Sequence, residues 1–355
     1  MDVVEVDGSL GEGGGQILRT AAAFSTIFGR PVRVVRIRAG RGVPGLKRQH
    51  ISALLVLARA AGGKVEGARE GSSEISFYPG ENRTESLTLD MGTAASITLV
   101  LQAVVPAVAL SRRRLRLELV GGTDVPWSPT FDYFSSVVRG AYRQVGIEFD
   151  VSAERRGYYP RGGGRVVATI EPSKGLKPLE LVSREDLPGA RVVSRCGSLP
   201  RRVAERQLSA ASGLLERAGI KVLAGEVSEM ESDSPGSSIL VQSTGPTAWL
   251  GCDAIGARGK QSEHVGQEAA ARFIAEMNSG ACLDSNLSDM VIPLLSIAPS
   301  PSRVRIREVT SHLRSGLEIA RQFTPYSWEA ERQEGSTIVR VTPGTRTRAL
   351  MGHNV

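Results

Sequence analysis

The sequence predicts a two-layer α/β protein made of three related units, with a smaller α/β domain inserted before the last of them. Three observations lead there. Aromatic residues are only 5% while Ala, Val, Leu and Ile are abundant, which suits helices packed on sheets. One order of periodicities, helix–strand–helix–strand–strand, is met three times along the chain. Between the second and third copies that order changes.

In the first copy, GGGQILRTAAAFSTIFG opens on glycines and then shows helical spacing (Ile17, Leu18, Ala21, Ala22, Phe28) up to Gly29. PVRVVRIRAG follows as a strand, KRQHISALLVLARAAGG as a helix, and KVEGAREGSSEISFYPG as two short strands around a turn. The second copy runs through SITLVLQAVVPAVAL, RRLRLELVGG, PTFDYFSSVVRGAYRQVG and the paired strands of IEFDVSAERRGYYPRGGGRVVATIEP. The third starts near Leu287 with LSDMVIPLLSIA and continues through SRVRIREV, SHLRSGLEIARQF, YSWEAERQ and STIVRVTP. These copies predict a repeat domain over 1–184 and 281–342, with units near 1–80, 90–175 and 281–342. The changed order over 185–280, strand (ARVVSRCG), helix (RRVAERQLSAASGLLERAG), three strands and a helix from Ser262, predicts the insertion. Residues 343–355 lack periodicity and read as a tail.

Composition narrows the class. Apolar residues at 41% and charged residues at 23% are ordinary for a folded soluble chain. The formal charge of +7 favours a polyanionic partner, nucleic acid being the usual one, although charge alone leaves a plain surface excess standing beside it. Cys196, Cys252 and Cys282 have neither disulfide-framework nor zinc spacing and point to a reducing interior. The start MDVVEVDGSL is acidic and unlike a signal peptide, and the apolar run Ile97 to Leu110 is broken by Gln102 and Pro106 and too short to span a bilayer. A cytoplasmic protein with no membrane contact is expected.

The densest chemical signal is Asp7-Gly8-Ser9-Leu10-Gly11-Glu12-Gly13-Gly14-Gly15-Gln16-Ile17-Leu18-Arg19. Glycines directly before a helix let backbone N–H groups and the positive helix end face an anion. No G-K-[ST] follows, so this is not a P-loop, and a dinucleotide fingerprint lacks its βαβ context. A plain turn accounts for the glycines but not for Glu12 among them or Arg19 one turn on; a phosphate-facing loop accounts for all three. Next, Arg36, Arg38, Arg41, Lys47 and Arg48 surround a Gly/Pro loop between strand and helix, where guanidinium forks suit neighbouring phosphates. GGTDVPWSP and YYPRGGG are further glycine-rich turns, structural or substrate-facing alike. Of four histidines, His353 lies in the tail, His50 begins a helix and His264 sits on a helix of the insertion. His312 precedes a helix at a strand end, where an imidazole can be presented to a ligand; spacing alone does not separate that role from a structural one. Asp289 in Asn286-Leu287-Ser288-Asp289-Met290 can bind a ribose hydroxyl or a metal, with helix capping the plainer role.

Together these motifs resemble the RNA 3′-terminal phosphate cyclase family. The resemblance rests on D-G-S-x-G-E-G-G-G-Q-I-L-R at Asp7 to Arg19 and R-A-G-R-x-x-P-G-L-x-R-Q-H at Arg38 to His50. T-L-V-L-Q at Thr98 to Gln102, G-G-T-D at Gly121 to Asp124 and Y-Y-P-x-G-G-G up to Gly164 add to it. So do G-x-x-G-x-x-x-E-x-V-G at Gly256 to Gly266, the L-x-D segment at Asp289 and the histidine of SHLRSG. It implies three units, each a four-stranded sheet backed by two helices, like the C-terminal domain of a bacterial translation initiation factor, plus the insertion. It also implies ATP as co-substrate, a divalent cation (Mg²⁺ or Mn²⁺) and RNA with a 3′-phosphate as partner. In the implied reaction a histidine takes AMP from ATP, passes it to the RNA 3′-phosphate, and the 2′-OH closes a 2′,3′-cyclic phosphate. By position His312 is the adenylated residue, with Glu12, Arg19 and Arg38 in the active site. Gln102 and Asn286, Leu287, Ser288, Asp289 and Met290 fall at the nucleotide pocket, and Arg41, Arg48, Gly13 and Gly14 are candidates for binding RNA or phosphate. Glu12 is the candidate metal ligand, or else the base for the 2′-OH.

Two departures bear on the nucleotide contacts. Related chains carry L-x-T-N after the histidine, where this one has Leu313-Arg314-Ser315-Gly316, and a common aromatic is Asn286 here. Two rival readings stand beside the enzyme: a non-catalytic RNA-binding or ribosome-assembly factor on the same scaffold, against which His312 speaks, and a small-molecule transferase of the enolpyruvyl type. Oligomeric state is left open, a homodimer included.

Overall fold

A computed structural model describes residues 2–80, 84–92, 94–185 and 187–344; the tail expected at 343–355, His353 with it, lies outside these from residue 345 onward. The first unit comprises β1 (Val4–Asp7), α1 (Gly15–Phe28), β2 (Val32–Val35), α2 (Arg48–Ala60), β3 (Lys64–Glu66) and β4 (Ile75–Tyr78). The second comprises β5 (Ser86–Asp90), α3 (Ile97–Leu110), β6 (Leu115–Gly121), α4 (Phe131–Tyr133), a π-helical turn (Phe134–Val138), α5 (Arg139–Gln144), β7 (Phe149–Arg155) and β8 (Gly164–Ile170). Then β9 (Glu180–Leu181) precedes a separate group: β10 (Ala190–Gly197), α6 (Arg202–Arg217), β11 (Val222–Met230), β12 (Gly236–Gly245), β13 (Ala248–Ile255) and α7 (Ser262–Ser279). Last come α8 (Ser285–Val291), a 3₁₀ turn (Ile292–Ile297), β14 (Ser302–Ile306), α9 (Ser311–Phe323), β15 (Tyr326–Gln333) and β16 (Ser336–Pro343).

The sheets run β1-β2-β4-β3, β5-β6-β8-β7 and β9-β14-β16-β15, so the same β-α-β-α-β-β path is wound three times. In each, the first two strands are parallel and the last two antiparallel to their neighbours. Periodicity alone missed the leading strand of each unit. The third of these, β9, is two residues long and pairs with β14 across the intervening group. That group forms its own sheet, β11-β10-β12-β13, over its own apolar core.

Local sequence explains the element ends. In β2, Val32 and Val34 are buried and Arg33 is exposed, the period of a half-buried strand. It stops at Val35 rather than running on through Arg38, because Arg36 and Arg38 take left-handed φ of 53° and 55° that no ladder accommodates. Pro106 does not end α3. Twelve of its fourteen residues are buried, and that burial outweighs the single helical hydrogen bond that Pro106 cannot donate. Phe24 and Phe28 of α1 stack on Phe323 of α9 with ring centroids 5.9 and 6.1 Å away, tying the first unit to the third. Among the described residues no helix is long and apolar enough to cross a membrane.

A buried ionic network joins the second unit to the inserted sheet. Arg156 donates to Asp124 Oδ2 at 3.1 Å and to both oxygens of Asp132 at 2.9 Å, while Arg195 of β10 reaches Asp132 Oδ1 at 2.9 Å. Arg156 and Asp124 are almost fully enclosed (side chains 3% and 0% exposed), so their charges are sustained by each other and by Asp132 rather than by water. Burial opposes the Arg156 charge, and the two carboxylates overcome it. Asp132→Ala leaves Arg156 with Asp124 alone and Arg195 with Glu226, and the buried N–H donors that lose their acceptor are expected to cost about 1–3 kcal/mol of stability. A denaturation midpoint equal to that of the parent would show that the network is not needed.

Candidate active site

The three units and the inserted sheet meet around one cleft of about 860 Å³. The first unit contributes the loop before α1 (Glu12, Gly14, Gly15), Arg19 inside α1, and Arg38, Arg41 and Lys47 from the β2–α2 connection. The second contributes Gln102 of α3 and the Val125–Thr130 loop. Asn286, Asp289 and Met290 of α8 and His312 of α9 come from the third unit, and Asp253 and Arg272 from the insertion.

The α1 N-terminus is capped by Gly14 with no side-chain bond, which leaves its first-turn N–H groups for an anion. Gly15 is required by proximity: a Cβ there would sit 2.6 Å from His50 Cδ2 and 3.1 Å from Arg19 Nη1. Thr310 caps α9, placing His312 in its first turn, and Gln16 donates to the His312 carbonyl at 3.0 Å. Glu12 bridges the two helix starts. Its Oε1 accepts from Ser311 Oγ at 2.8 Å, and its Oε2 lies 3.3 Å from Arg41 Nη2 and 3.9 Å from His312 Nε2. The Ser311 hydrogen bond, with His312 and Arg41 nearby, holds the Glu12 carboxyl below the usual range, so it stays anionic.

The Arg19 side chain makes no hydrogen bond or ion pair among the described residues, and burial lowers its pKa to about 10, still cationic at neutral pH. Arg38 spends Nη1 on the carbonyls of Val43 (2.7 Å) and Gly45 (3.0 Å), closing its own loop while facing the cleft. His50 Nδ1 accepts from the Lys47 N–H at 3.2 Å, and burial beside Arg19 and Arg38 pushes its pKa down to about 4, so the ring is neutral.

Asp289 does not cap α8; Asp284 does, accepting from the Leu287 N–H. Asp289 instead accepts from Thr310 Oγ1, the cap of α9, and burial raises it to about 7. The folded protein therefore holds this proton more tightly than the unfolded chain, whose ordinary value is 3.8. The resulting stabilisation is complete below about pH 4 and fades as pH rises toward 7. Asp289→Asn is expected to flatten that part of the Tm–pH curve, by at most a few kcal/mol in stability terms; an unchanged slope would contradict it.

Several expected residues are placed elsewhere. Leu287 and Ser288 are fully buried on the inner face of α8, the Ser288 hydroxyl bonded to the Asp284 carbonyl, because a seven-residue helix at the core can turn only one side to the cleft. Arg48 is solvent-exposed, pairs with Glu70 and does not line the cleft. Gly13 is buried with its N–H on the Leu10 carbonyl, which leaves Gly14 as the loop residue at the cleft. Lys47, one of the cations noted around the Gly/Pro loop, lines the cleft, as do Gln16, His50, Trp127, Asp253 and Arg272, which the sequence does not single out for it. Gln16 and His50 sit inside the two quoted loop motifs, so their signal is position within a motif. Gly316 has a packing reason, since a Cβ there would lie 2.8 Å from Pro293 Cγ.

Among the described residues no three His, Cys, Asp or Glu side chains cluster as a metal site. One carboxylate, Glu12, with phosphate oxygens and water completing the shell, matches the way Mg²⁺ is held beside nucleotides.

The family model for "RNA 3'-terminal phosphate cyclase" matches residues 10–330. A Pyrococcus furiosus protein named RNA 3'-terminal phosphate cyclase is 42% identical over 90% of this chain and 93% of its own length. Proteins of the same name from Thermococcus kodakarensis and Methanopyrus kandleri are 41% and 40% identical, covering 97% of this chain and 98% and 99% of theirs. Among solved structures, the EPSP synthase from Acinetobacter baumannii aligns over 96% of this chain and 66% of that one at 13% identity, with a TM-score of 0.29, too slight a likeness to bear on the fold.

Proposed function

The chain belongs to the RNA 3′-terminal phosphate cyclase family, and from that premise we propose that it spends ATP to convert an RNA 3′-phosphate into a 2′,3′-cyclic phosphodiester through an AMP carried on His312. One observation carries the reading: His312 opens into the cleft that Arg19, Arg38 and Arg41 also line, 3.9 Å from the Glu12 carboxylate.

An imidazole nitrogen of His312 attacks the α-phosphorus of ATP, a P–N bond forms and pyrophosphate leaves. The RNA 3′-phosphate oxygen then displaces the imidazole, giving an RNA–pyrophosphate–adenosine end. Finally the 2′-oxygen attacks the RNA phosphorus, its proton is taken up, and AMP departs. Such transfers ask for positioning and for fixed positive charge around the equatorial oxygens. Arg19, Arg38, Arg41 and the free amides of α1 supply that charge without reorganising. Glu12, anionic, would hold a divalent cation, which supplies further charge neutralisation at the phosphates. Ring closure is intramolecular, so much of its entropic cost is already met by the ribose. Three buried thiols suit a reducing cytoplasmic setting. The test is incubation with ATP, a divalent cation and a 3′-phosphorylated oligoribonucleotide. Ends that become phosphatase-resistant support the reading, and ends that stay sensitive refute it.

A further inference from the structure

Trp127 is 95% exposed, whereas Trp249 is 6% exposed and Trp328 lies partly covered beneath Arg314. An open indole is uncommon on a folded surface. Its backbone is also uncommon, with φ at 62°, a conformation bulky residues rarely take. The loop that holds it there is stiff. Pro126 and Pro129 flank it, and Ser128 Oγ donates to the Val125 carbonyl at 2.8 Å. The loop is rooted at Asp124, whose carboxylate lies in the buried network with Arg156, and at Thr130, whose N–H donates to Asp253 Oδ2 at 2.6 Å. The fold thus holds an aromatic face outward in a set position.

Trp127 lines the cleft together with Arg38, Arg41 and Lys47. Among the described residues the other exposed large apolar side chains, Val3, Val43, Leu55, Tyr159 and Leu223, do not line it, so the indole stands beside cations rather than in a broad exposed apolar patch. A protein partner calls for the broad patch. A nucleic-acid strand calls for what is present: a flat π-face for a base and cations for its backbone.

We propose that Trp127 is a stacking platform for a base of the RNA strand near its 3′ end, as that strand leaves the cleft. This rests on the cyclase reading of the cleft. It assigns the indole to RNA rather than to ATP because a ring 95% open to solvent suits a base of a strand that continues beyond the cleft.

The experiment measures binding without catalysis: a 5′-labelled, 3′-phosphorylated oligoribonucleotide is titrated with protein in the absence of ATP, read by anisotropy and by indole fluorescence. Trp127→Ala is expected to weaken affinity about tenfold and remove most of the RNA-induced quenching, with Trp127→Phe retaining most of the affinity. The exposed indole leaves no core cavity behind, and matching Tm values for parent and variant verify folding. Unchanged affinity in Trp127→Ala overturns the platform, as does a loss confined to ATP-dependent labelling with RNA affinity intact. If the parent binds RNA, loses that binding in Trp127→Ala, yet never cyclises an end, the platform is supported and the cyclase reading fails. If the parent cyclises ends and Trp127→Ala binds RNA equally well, the platform alone fails.

Discussion

His312→Ala is expected to abolish the covalent nucleotide on the protein and, with it, the cyclised RNA end. The nucleophile is the one component that positioning cannot replace, so adduct formation should fall by more than about 10³-fold. Incubation with ATP labelled at the α-phosphate reads this directly. The parent should carry an acid-labile label, as a P–N bond does, and the variant none. His312 sits in the first turn of α9 with 44% of its side chain exposed, so truncation removes little packing and Tm should stay close to the parent. An adduct that persists in His312→Ala would move the chemistry to another residue and leave Glu12 and the arginines as a binding site only.

How the sequence prefigured this arrangement depends on the length of each signal. Long periodic segments are legible: α1, α3, α6 and α9 begin and end close to the residues their spacing marks, and α7 begins at the expected Ser262. The leading strands were not, because a strand as short as β9 presents no period to detect, and its partner β14 lies beyond a whole inserted sheet. The site divides in the same way. Glu12, Arg38 and Arg41 stand in loops, and Arg19 just inside the helix that follows the first of them, where glycines and cations are dense enough to notice locally. The resemblance takes Asn286 to Met290 as one run, but a helix turns adjacent residues to different sides, and Leu287 and Ser288 point into the core. The Arg156–Asp132–Arg195 network was invisible, since its members lie in separate elements and only the tertiary fold brings their charges together. Trp127 was within reach in GGTDVPWSP, yet nothing in those letters says that the indole faces outward.

Arg19 separates a residue that serves the fold from one that serves the ligand. A half-buried guanidinium with no side-chain partner among the described residues carries a cost without nucleotide, since partial burial disfavours its charge and no carboxylate offsets that. In the proposed reaction an incoming phosphate would supply the missing partner. Arg19→Met should therefore move two observables in opposite directions. Without nucleotide, Tm should rise, by a few degrees at most, because an unpaired charge has been replaced by a side chain at ease beside Ala23 and Phe24. The rate of adduct formation should fall roughly 10²–10³-fold, the scale seen when one preorganised donor is removed from a developing anion. ATP should also lose much of its power to raise Tm, because that shift measures binding to the folded state. Arg19→Lys keeps a charge but not the planar fork, and should recover the rate only in part. A fall in Tm with the rate intact would make Arg19 a structural cation, and the phosphate site would then rest on Arg38, Arg41 and the α1 amides alone.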